Sequence, residues 1–561
     1  METLENKTNK PERKLYSSML YLSMFVMGGC GLAYEYTFSK LSTDLLGNSS
    51  QQWGLIIGIM MFFMGVGSDF QKRIKNSLFN KFIYAELILG LSGSFGPIIV
   101  LYSFSQYREH FILIHYFFIS LMGLLIGFEI PLLTRVNEQF TSELKNNIGN
   151  VLKMDYLGAL AGAIAWIFIL PKYFTIIESA FVLGFATILV AAITLIYFSD
   201  KFKTPKRLHF SVVASFVLII YGYSQAKSWT IYSEQQLYQD KVVFSKTTKY
   251  QHIIITESAS KEIACYINGH LQFNSSDEYI YHENLVHPIM SIAPQKNNVL
   301  ILGGGDGLAV REVLKYKDIE SLTLVDLDPV MVDLAANNPY FSKMNQNSLS
   351  HGKVKIIRNN TLLIAGTEDL YTASQTSPIV NKAVKVAELN IVSLDAVRFL
   401  NQIQGKYNII IIDFPDPNSV ELSKLYSKQF YQLLRTKLTP HGIMVQQSSS
   451  SLHAKEAFLC IGRTMDSSGL VSIPIHDNVP SFGEWGWWIA ARDDHYSKEK
   501  LKKMLNSIKT LPGELRYLTP ELIHASLVFG KDQLYTDHTE INTLSNTKVY
   551  DYYLKAWQDS F

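Results

Sequence analysis

Hydrophobic positions divide the chain in two. Up to about residue 226 they form long unbroken runs, and beyond it they come in short blocks with the periods of strands and helices. A helix needs about 20 apolar residues to cross a bilayer. Seven runs approach that length, at about 16–35, 52–70, 82–104, 111–134, 155–171, 177–198 and 208–226. The second is uncharged from Trp53 to Gly67 and the sixth from Ser179 to Phe198. So many runs in series, separated by short charged loops, predict a multi-pass α-helical membrane domain over 16–226 rather than buried helices of a soluble core. The first run carries Glu35 and lacks a following small-residue cleavage site, which argues against a cleaved signal peptide.

Loop charges orient this domain. Lys7, Lys10, Arg13 and Lys14 precede the first run, and Lys72, Arg73, Lys75, Arg135, Lys145, Lys153, Lys201, Lys203, Lys206 and Arg207 fall in every second loop. The other loops hold only Lys40, Arg108 and Lys172. The positive-inside rule then places residues 1–15 in the cytoplasm, and seven crossings would leave the rest of the chain outside. The last run is short and contains His209, Tyr221 and Tyr223; lying along the interface instead, it would keep the rest inside. The acids Glu35, Asp69, Glu86 and Asp155 are expected near solvated span ends. Glu129, in GFEIPLL, is the one expected at membrane depth, where acids mark polar pathways. GALAGA at 158–163, with Gly28, Gly29 and Gly31, suits close helix packing.

Composition adds little to this division. Of 561 residues 18% are charged and 48% hydrophobic, and the net charge of +2 implies no pull toward nucleic acid. Cys30, Cys265 and Cys460 have no metal-ligand or disulfide spacing.

The second half carries the chemistry. Residues 241–273 read as two or three strands of a small sheet. VLILGGGDG (299–307) is a buried strand running into a glycine turn, LAVREVLKY (308–316) has helical spacing, and SLTLVDLD (321–328) is a second buried strand. Such a βαβ unit implies a parallel sheet and a Rossmann-like fold. Gly303, Gly304 and Gly305 let the backbone turn and approach a ligand, and Asp326 ends the next strand where ribose hydroxyls are bound. There is no GxxxxGK[ST], so no phosphate-cradling loop is indicated. Asp306 in the glycine turn would repel a carboxylate and attract an amine, or cap the helix that begins near Leu308. YNIIIIDFPDPN (407–418) is a third buried strand, ending in Asp413 and Asp416. Paired acids there suit a cationic substrate, one holding charge while the other removes a proton; Asp416 alone would also fit Asp-Pro turn chemistry. GIMVQQS (442–448) and WGWWIAAR (485–492) are further strands.

GGGDG, REVLKY, VDLD and DFPDP, preceded by YIYHENLVHP, resemble the spermidine synthase family of polyamine aminopropyltransferases, and the seven-run half resembles its membrane-bound branch through GLAYEY and MDYLGALAG. The resemblance implies a small β-sheet subdomain (232–290), a methyltransferase-like α/β domain (291–495) and a helical C-terminal extension (496–561). It implies aminopropyl transfer from decarboxylated S-adenosylmethionine to a diamine such as putrescine, in the cell (inner) membrane. The sulfonium carbon is already activated, so no metal or cofactor is expected. Soluble relatives form dimers or tetramers, so a homo-oligomer is an expectation. By resemblance Gln239 and His282 lie against the donor, Asp306 holds its amine, Asp326 its ribose and Asp395 its adenine. Asp413 is then the base, Tyr281 the tyrosine beside the reacting amine and Asp416 an amine-binding acid. Asp326 stands where Glu is more usual, LDA (394–396) where DDG or GDG is, and Phe482 where a tyrosine often lines the amine pocket; Glu484 would supply charge there. The stretch 361–390 reads as an insertion. Other readings are an S-adenosylmethionine methyltransferase, and a transporter or sensor whose soluble half only binds polyamine. In a related reading the membrane half moves polyamine past Glu129 and Asp155.

Overall fold

Every apolar run folds largely as helix, and five of the seven helices cover their runs entirely. The computed structural model describes residues 10–46, 49–141, 143–202, 205–350, 354–357 and 388–558, which form two units, Met1–Ser245 and Lys246–Phe561. The first unit contains α1 (Lys10–Leu46), α2 (Ser49–Phe70), α3 (Leu78–Gln106), α4 (Arg108–Asn137), α5 (Leu144–Phe168), α6 (Leu170–Tyr173), α7 (Ile176–Tyr197) and α8 (Pro205–Gln235). All but the one-turn α6 are long and apolar enough to cross a membrane, by length and composition. Pro171 sits in the first turn of α6 and accompanies the break after α5. A capping box opens α7, with Glu178 N donating to Thr175 Oγ1 and Thr175 N to Glu178 Oε2.

Two expectations are corrected by this unit. The seventh helix is not short: α8 has 31 residues, because SQAKSWTIYSEQ beyond Gly222 is polar yet free of glycine and proline. The first unit runs to Ser245. The second correction concerns the acids. Asp69 is exposed and pairs with Lys72 at 2.6 Å, as a span-end acid should. Glu86, however, is 0% exposed and Glu129 1%. Helix packing has closed over Glu86, which lies only two turns into its helix.

Small residues set the close approaches in this unit. A side chain at Gly158 would run into the Phe25 carbonyl, one at Gly162 into the Gly29 backbone, and one at Gly28 into Asp155. Gly31 has ordinary room, its nearest neighbour being Ile126 at 3.5 Å. Thus GALAGA and the Gly28–Gly29 pair hold α1 against α5 by backbone contact.

A small sheet follows, of order β1 (Lys241–Thr247), β2 (His252–Glu257), β3 (Ile263–Ile267), β4 (His270–Asn274), four strands where two or three were expected. Asn268 and Gly269 have φ of 50° and 81°, giving the two-residue hairpin that closes β3 on β4. After α9 (Glu278–Ile292) comes the large sheet: β5 (Asn298–Gly303), β6 (Ser321–Asp326), β7 (Val354–Ile357), β8 (Glu388–Ser393), β9 (Tyr407–Asp413), β10 (Leu438–Gln447), β11 (Leu470–Val479) and β12 (Gly483–Arg492). Its order is β11-β12-β10-β9-β5-β6-β8-β7. Strands β5 to β10 pair in parallel, and β12 and β11 are added antiparallel. Ile409 to Ile412 of β9 are all 0% exposed, each burial worth about 2 kcal/mol, which is why the centre of the sheet reads as an uninterrupted apolar run.

The sequence pattern hides β11, because it contains Pro474 and polar positions. As the edge strand it tolerates a proline that donates no ladder bond. The helix α10 (Leu308–Val313) after the glycine turn stops short of the expected Tyr316. Most of the insertion expected at 361–390 lies outside the described residues, and its last three residues begin β8. The C-terminal extension is only partly helical, at Lys498–Asn506, Pro520–Ala525 and Lys548–Gln558.

The α1–α5 contact is open to a direct check. Gly158→Leu should destabilise the first unit by about 2 kcal/mol through overpacking, whereas Gly54→Ala, with nothing within 4 Å of its added Cβ, should not. Thermal melting of the purified full chain measures both.

Candidate active site

The sheet reverses direction of build at β5: the chain proceeds to β6 on one side and later adds β9 on the other. Ligands bind such sheets in the crevice outside the carboxyl ends of the strands at that point. Gly303 pairs with Asp413 across β5 and β9, and a side chain there would strike the Asp413 carbonyl. Gly303 and Gly304 have φ of 80° and 65°, so the turn needs glycine. A Cβ at Gly305 would lie 2.6 Å from Asp326 Oδ2. Gly305 N donates to that same oxygen at 3.0 Å, and Asp328 N donates to Asp326 Oδ1 at 2.8 Å. Burial still pushes the Asp326 carboxyl up to about 6, against these two donors.

Of the two roles considered for Asp306, the structure shows the capping contact. Asp306 Oδ1 accepts from Leu308 N at 2.8 Å, satisfying the start of α10. Burial raises its pKa, and the His282 imidazolium nearby works against that rise.

Helix α9 supplies the other wall. Tyr281 Oη donates to Asp413 Oδ1 at 2.6 Å, and His282 Nε2 lies 4.0 Å from Asp413 Oδ2. One ligand-type atom from each of His282, Asp306 and Asp413 falls within 4.8 Å of the others. Burial opposes charge on His282, but the hydrogen bond and charge of Glu278, joined by Asp306 and Asp413, push the imidazole up to about 9. Its Nδ1 donates to the Glu278 carbonyl at 2.7 Å and to Glu278 Oε2 at 3.0 Å. Arg311 grips Glu278 with two bonds, Nη1 to Oε1 at 2.8 Å and Nη2 to Oε2 at 2.9 Å. For Asp413, burial pushes the carboxyl up to about 6 and Asp306 adds to the rise, while His282 and the Tyr281 hydroxyl oppose it. The result is a buried cation between two carboxylates, a site that retains attraction for a second cation.

Asp416 lies past the end of β9. Its Oδ2 accepts from Ser449 Oγ at 3.1 Å and its Oδ1 from Gln447 Nε2 at 3.3 Å, and burial pushes it up to about 6 against these donors. Tyr281, His282, Gly303, Gly304, Gly305, Asp306, Asp326 and Asp413 are thus brought into direct neighbourhood, with Asp416 adjoining. Asp395 is exposed and caps the helix Ala396–Gln402 through Arg398 N at 2.9 Å; it stands at the same sheet end, since Leu394 N donates to the Asp326 carbonyl. Phe482 is 6.2 Å from the Tyr281 ring, and Trp487 5.6 Å. Glu484 is engaged elsewhere, accepting from Ser451 Oγ and Gln533 Nε2 with His476 Nδ1 at 3.3 Å. Gln239 belongs to the first unit, exposed in the bend between α8 and β1.

Sequence reasoning misses Glu278, Arg311, Gln447 and Ser449. Glu278 is four residues before His282, the helical spacing that puts two side chains on one face. The QQSSSS run after β10 is the other overlooked signal, polar residues at the ligand end of a buried strand. Ser449 has φ of 65°, the kind of strain that surrounding structure sustains at working sites. Glu283 of the YHE motif, by contrast, points away and accepts from the backbone nitrogens of Arg516, Tyr517 and Leu518.

Fold and site together define a Rossmann-like domain with a cluster of buried acids at the carboxyl ends of its central strands. The Spermine/spermidine synthase domain family matches residues 278–371 and 373–503. A polyamine aminopropyltransferase of Leptospira interrogans is 35% identical over 539 residues, covering 96% of this chain and 98% of that one. Another, of Oceanobacillus iheyensis, is 32% identical over 555 residues, covering 97% and 98%. A solved spermidine synthase in complex with the transition-state analogue AdoDATO aligns with 52% of this chain and 87% of its own, at 20% identity and a TM-score of 0.40. By its likeness to full-length relatives, the chain belongs to the polyamine aminopropyltransferase family, and it is an aminopropyltransferase enzyme.

Asp413 is the base expected from the sequence, a base must be unprotonated to act, and burial pushes this carboxyl up to about 6. Below that pH kcat/KM should fall about tenfold per unit. Tyr281→Phe removes a bond that lowers the Asp413 pKa, so initial rates across pH should show this limb moving upward; a variant limb that moves down would contradict the geometry.

Proposed function

We propose that this enzyme transfers the aminopropyl group of decarboxylated S-adenosylmethionine to putrescine or a similar diamine, giving spermidine and 5′-methylthioadenosine. The observation that carries this reading is the Tyr281–Asp413 bond of 2.6 Å beside the His282–Asp306 charges. Asp306 in the glycine turn attracts the donor's amine, in a position where a carboxylate would be repelled. Asp326 takes the ribose and Asp395 the adenine amino group, with His282 against the donor. Asp416 holds the acceptor's far ammonium.

The near amine, aligned by Tyr281, attacks the sulfonium-bound carbon. The new C–N bond forms as the C–S bond breaks, the sulfur leaves as a neutral thioether, and the proton passes to Asp413. The leaving group is already activated, so alignment and proton removal supply the acceleration and no metal or cofactor is called on. Family membership sets aside the methyltransferase reading and the non-catalytic transporter or sensor.

Incubation with donor and putrescine should release 5′-methylthioadenosine and spermidine in equal amounts. Asp413→Asn should lower that release by about 10²–10⁴-fold. Absence of 5′-methylthioadenosine from the parental enzyme, or an unchanged rate in the variant, would overturn the assignment.

The proposal extends to location: the seven long helices anchor the enzyme in the cell membrane with residues 1–15 cytoplasmic. Large apolar side chains on this unit are more than half exposed, including Met61 (64%), Phe62 (66%), Leu113 (73%), Ile196 (69%) and Phe210 (76%), as a lipid-facing surface requires. Seven crossings carry the catalytic unit outside, whereas α8 lying on the surface keeps it with the cytoplasmic donor. Protease added to intact spheroplasts should cleave the C-terminal unit in the first case and spare it in the second.

A further inference from the structure

The two nitrogens of the buried His282 ring meet different surroundings. Two acceptors crowd Nδ1: the Glu278 carbonyl at 2.7 Å and Glu278 Oε2 at 3.0 Å. Glu278 is held as a carboxylate, because Arg311 donates to both of its oxygens, Nη1 to Oε1 at 2.8 Å and Nη2 to Oε2 at 2.9 Å. Neither acceptor brings a proton, so Nδ1 must carry one. The other nitrogen, Nε2, lies 4.0 Å from Asp413 Oδ2, and Asp306 completes the cluster. A lone pair on Nε2 would meet negative charge there, whereas an N–H meets attraction. The geometry therefore asks for a proton on each nitrogen. The charged and titratable groups around the ring are Glu278 and Tyr281 on its own helix, Asp306 in the glycine turn, Asp413 at the end of β9, and Arg311 of α10 behind Glu278.

Arg311 is itself anchored. It is buried, and besides Glu278 it donates from Nη1 to the Met344 carbonyl at 2.9 Å and from Nε to Glu312 Oε1 at 2.7 Å. Glu312 is held in turn by His287 Nε2 at 2.8 Å and Lys315 Nζ at 2.7 Å. The guanidinium is thus fixed from three directions, and it presents the Glu278 carboxylate to the imidazole in one orientation. Glu278 binds the ring through the nitrogen that does not face Asp413.

We propose that Glu278 and Arg311 are positioning residues for the transfer: they hold His282 as a doubly protonated ring that aims its Nε2–H at Asp413 and cannot accept a proton itself. This rests on the reading of Asp413 as the base. A ring already carrying both protons leaves the proton of the attacking amine to Asp413. Its positive charge also favours the ionised form of Asp413, the form a base requires.

The test uses the full-length enzyme with decarboxylated S-adenosylmethionine and putrescine. Glu278→Gln keeps the size of the side chain and removes its charge, and Arg311 retains Glu312 as a partner. The ring should then lose its charge near neutral pH, and Asp413, without the opposing cation, should hold a proton more readily. The acid limb of kcat/KM should therefore move upward by about one pH unit or more. Arg311→Lys keeps the charge but loses the two-pronged geometry, and it should give a smaller upward move. Nitrogen-15 NMR of the histidine-labelled, substrate-free enzyme, with His282→Gln identifying the signal, should show an imidazolium in the parent and a neutral ring in Glu278→Gln. Glu283→Gln is the control for packing. Glu283 is buried on the same helix and bonds the backbone of 516–518, so its loss should lower the melting temperature and leave the limb in place. A limb unmoved in Glu278→Gln, or one that moves equally in Glu283→Gln, would overturn the proposal, and so would a neutral His282 in the parent. If Glu278→Gln does not fold, the limb of Arg311→Lys and the parental imidazole signal decide. A parental enzyme that releases no 5′-methylthioadenosine would instead remove the functional reading beneath the proposal, while the imidazole signal would still report the charge of the ring.

Discussion

Three carboxylates, Asp306, Asp413 and Glu278, converge on one imidazole, and the geometry of the site follows from that concentration of charge. Taking a carboxylate out of water costs several kcal/mol unless a partner compensates it. His282 supplies the partner for Asp306 and Asp413, and it stays charged because Glu278 stands behind it. Glu278 in turn is held by the two-pronged grip of Arg311. The arrangement leaves a net negative pocket with a defined orientation. An amine entering it meets charge already desolvated and fixed, which is the condition under which electrostatic attraction is strongest.

The sheet makes this concentration tolerable. Buried isoleucines of β9 and the leucines of β5 form a core rigid enough to hold Gly303 against Asp413, so the acid is presented by backbone geometry instead of a mobile loop. The glycine turn then brings Asp306 up to α10, whose first free backbone donor it satisfies. One side chain therefore serves both as a helix cap and as a charge in the pocket. The same economy appears in α9, where Tyr281 and His282 face the site while Glu283 pins the segment 516–518.

Much of this architecture is legible in local pattern. The seven apolar runs, the glycine turn, and the acids at the ends of β6 and β9 can be read residue by residue, because apolar periodicity and backbone conformation are properties of short segments. The features that escape such a reading share a cause. Pro474 hides β11, and it is harmless only because the strand lies at the sheet edge. Glu86 has the sequence position of a solvated acid, two turns from its helix start, yet neighbouring helices cover it. Gln447 and Ser449 sit in a polar run that reads as an ordinary loop until Asp416 is placed beside it.

Neighbouring residues along the chain settle which segments become strands and helices, where glycine is obligatory, and which acids stand at the ligand ends of strands. Packing settles which of those acids share a site and what charge they carry. Tyr281 and Asp413 are 132 residues apart and bond at 2.6 Å. The reason is physical: backbone preference is set by adjacent residues, whereas protonation and orientation depend on desolvation and on partners that only the folded chain brings within reach.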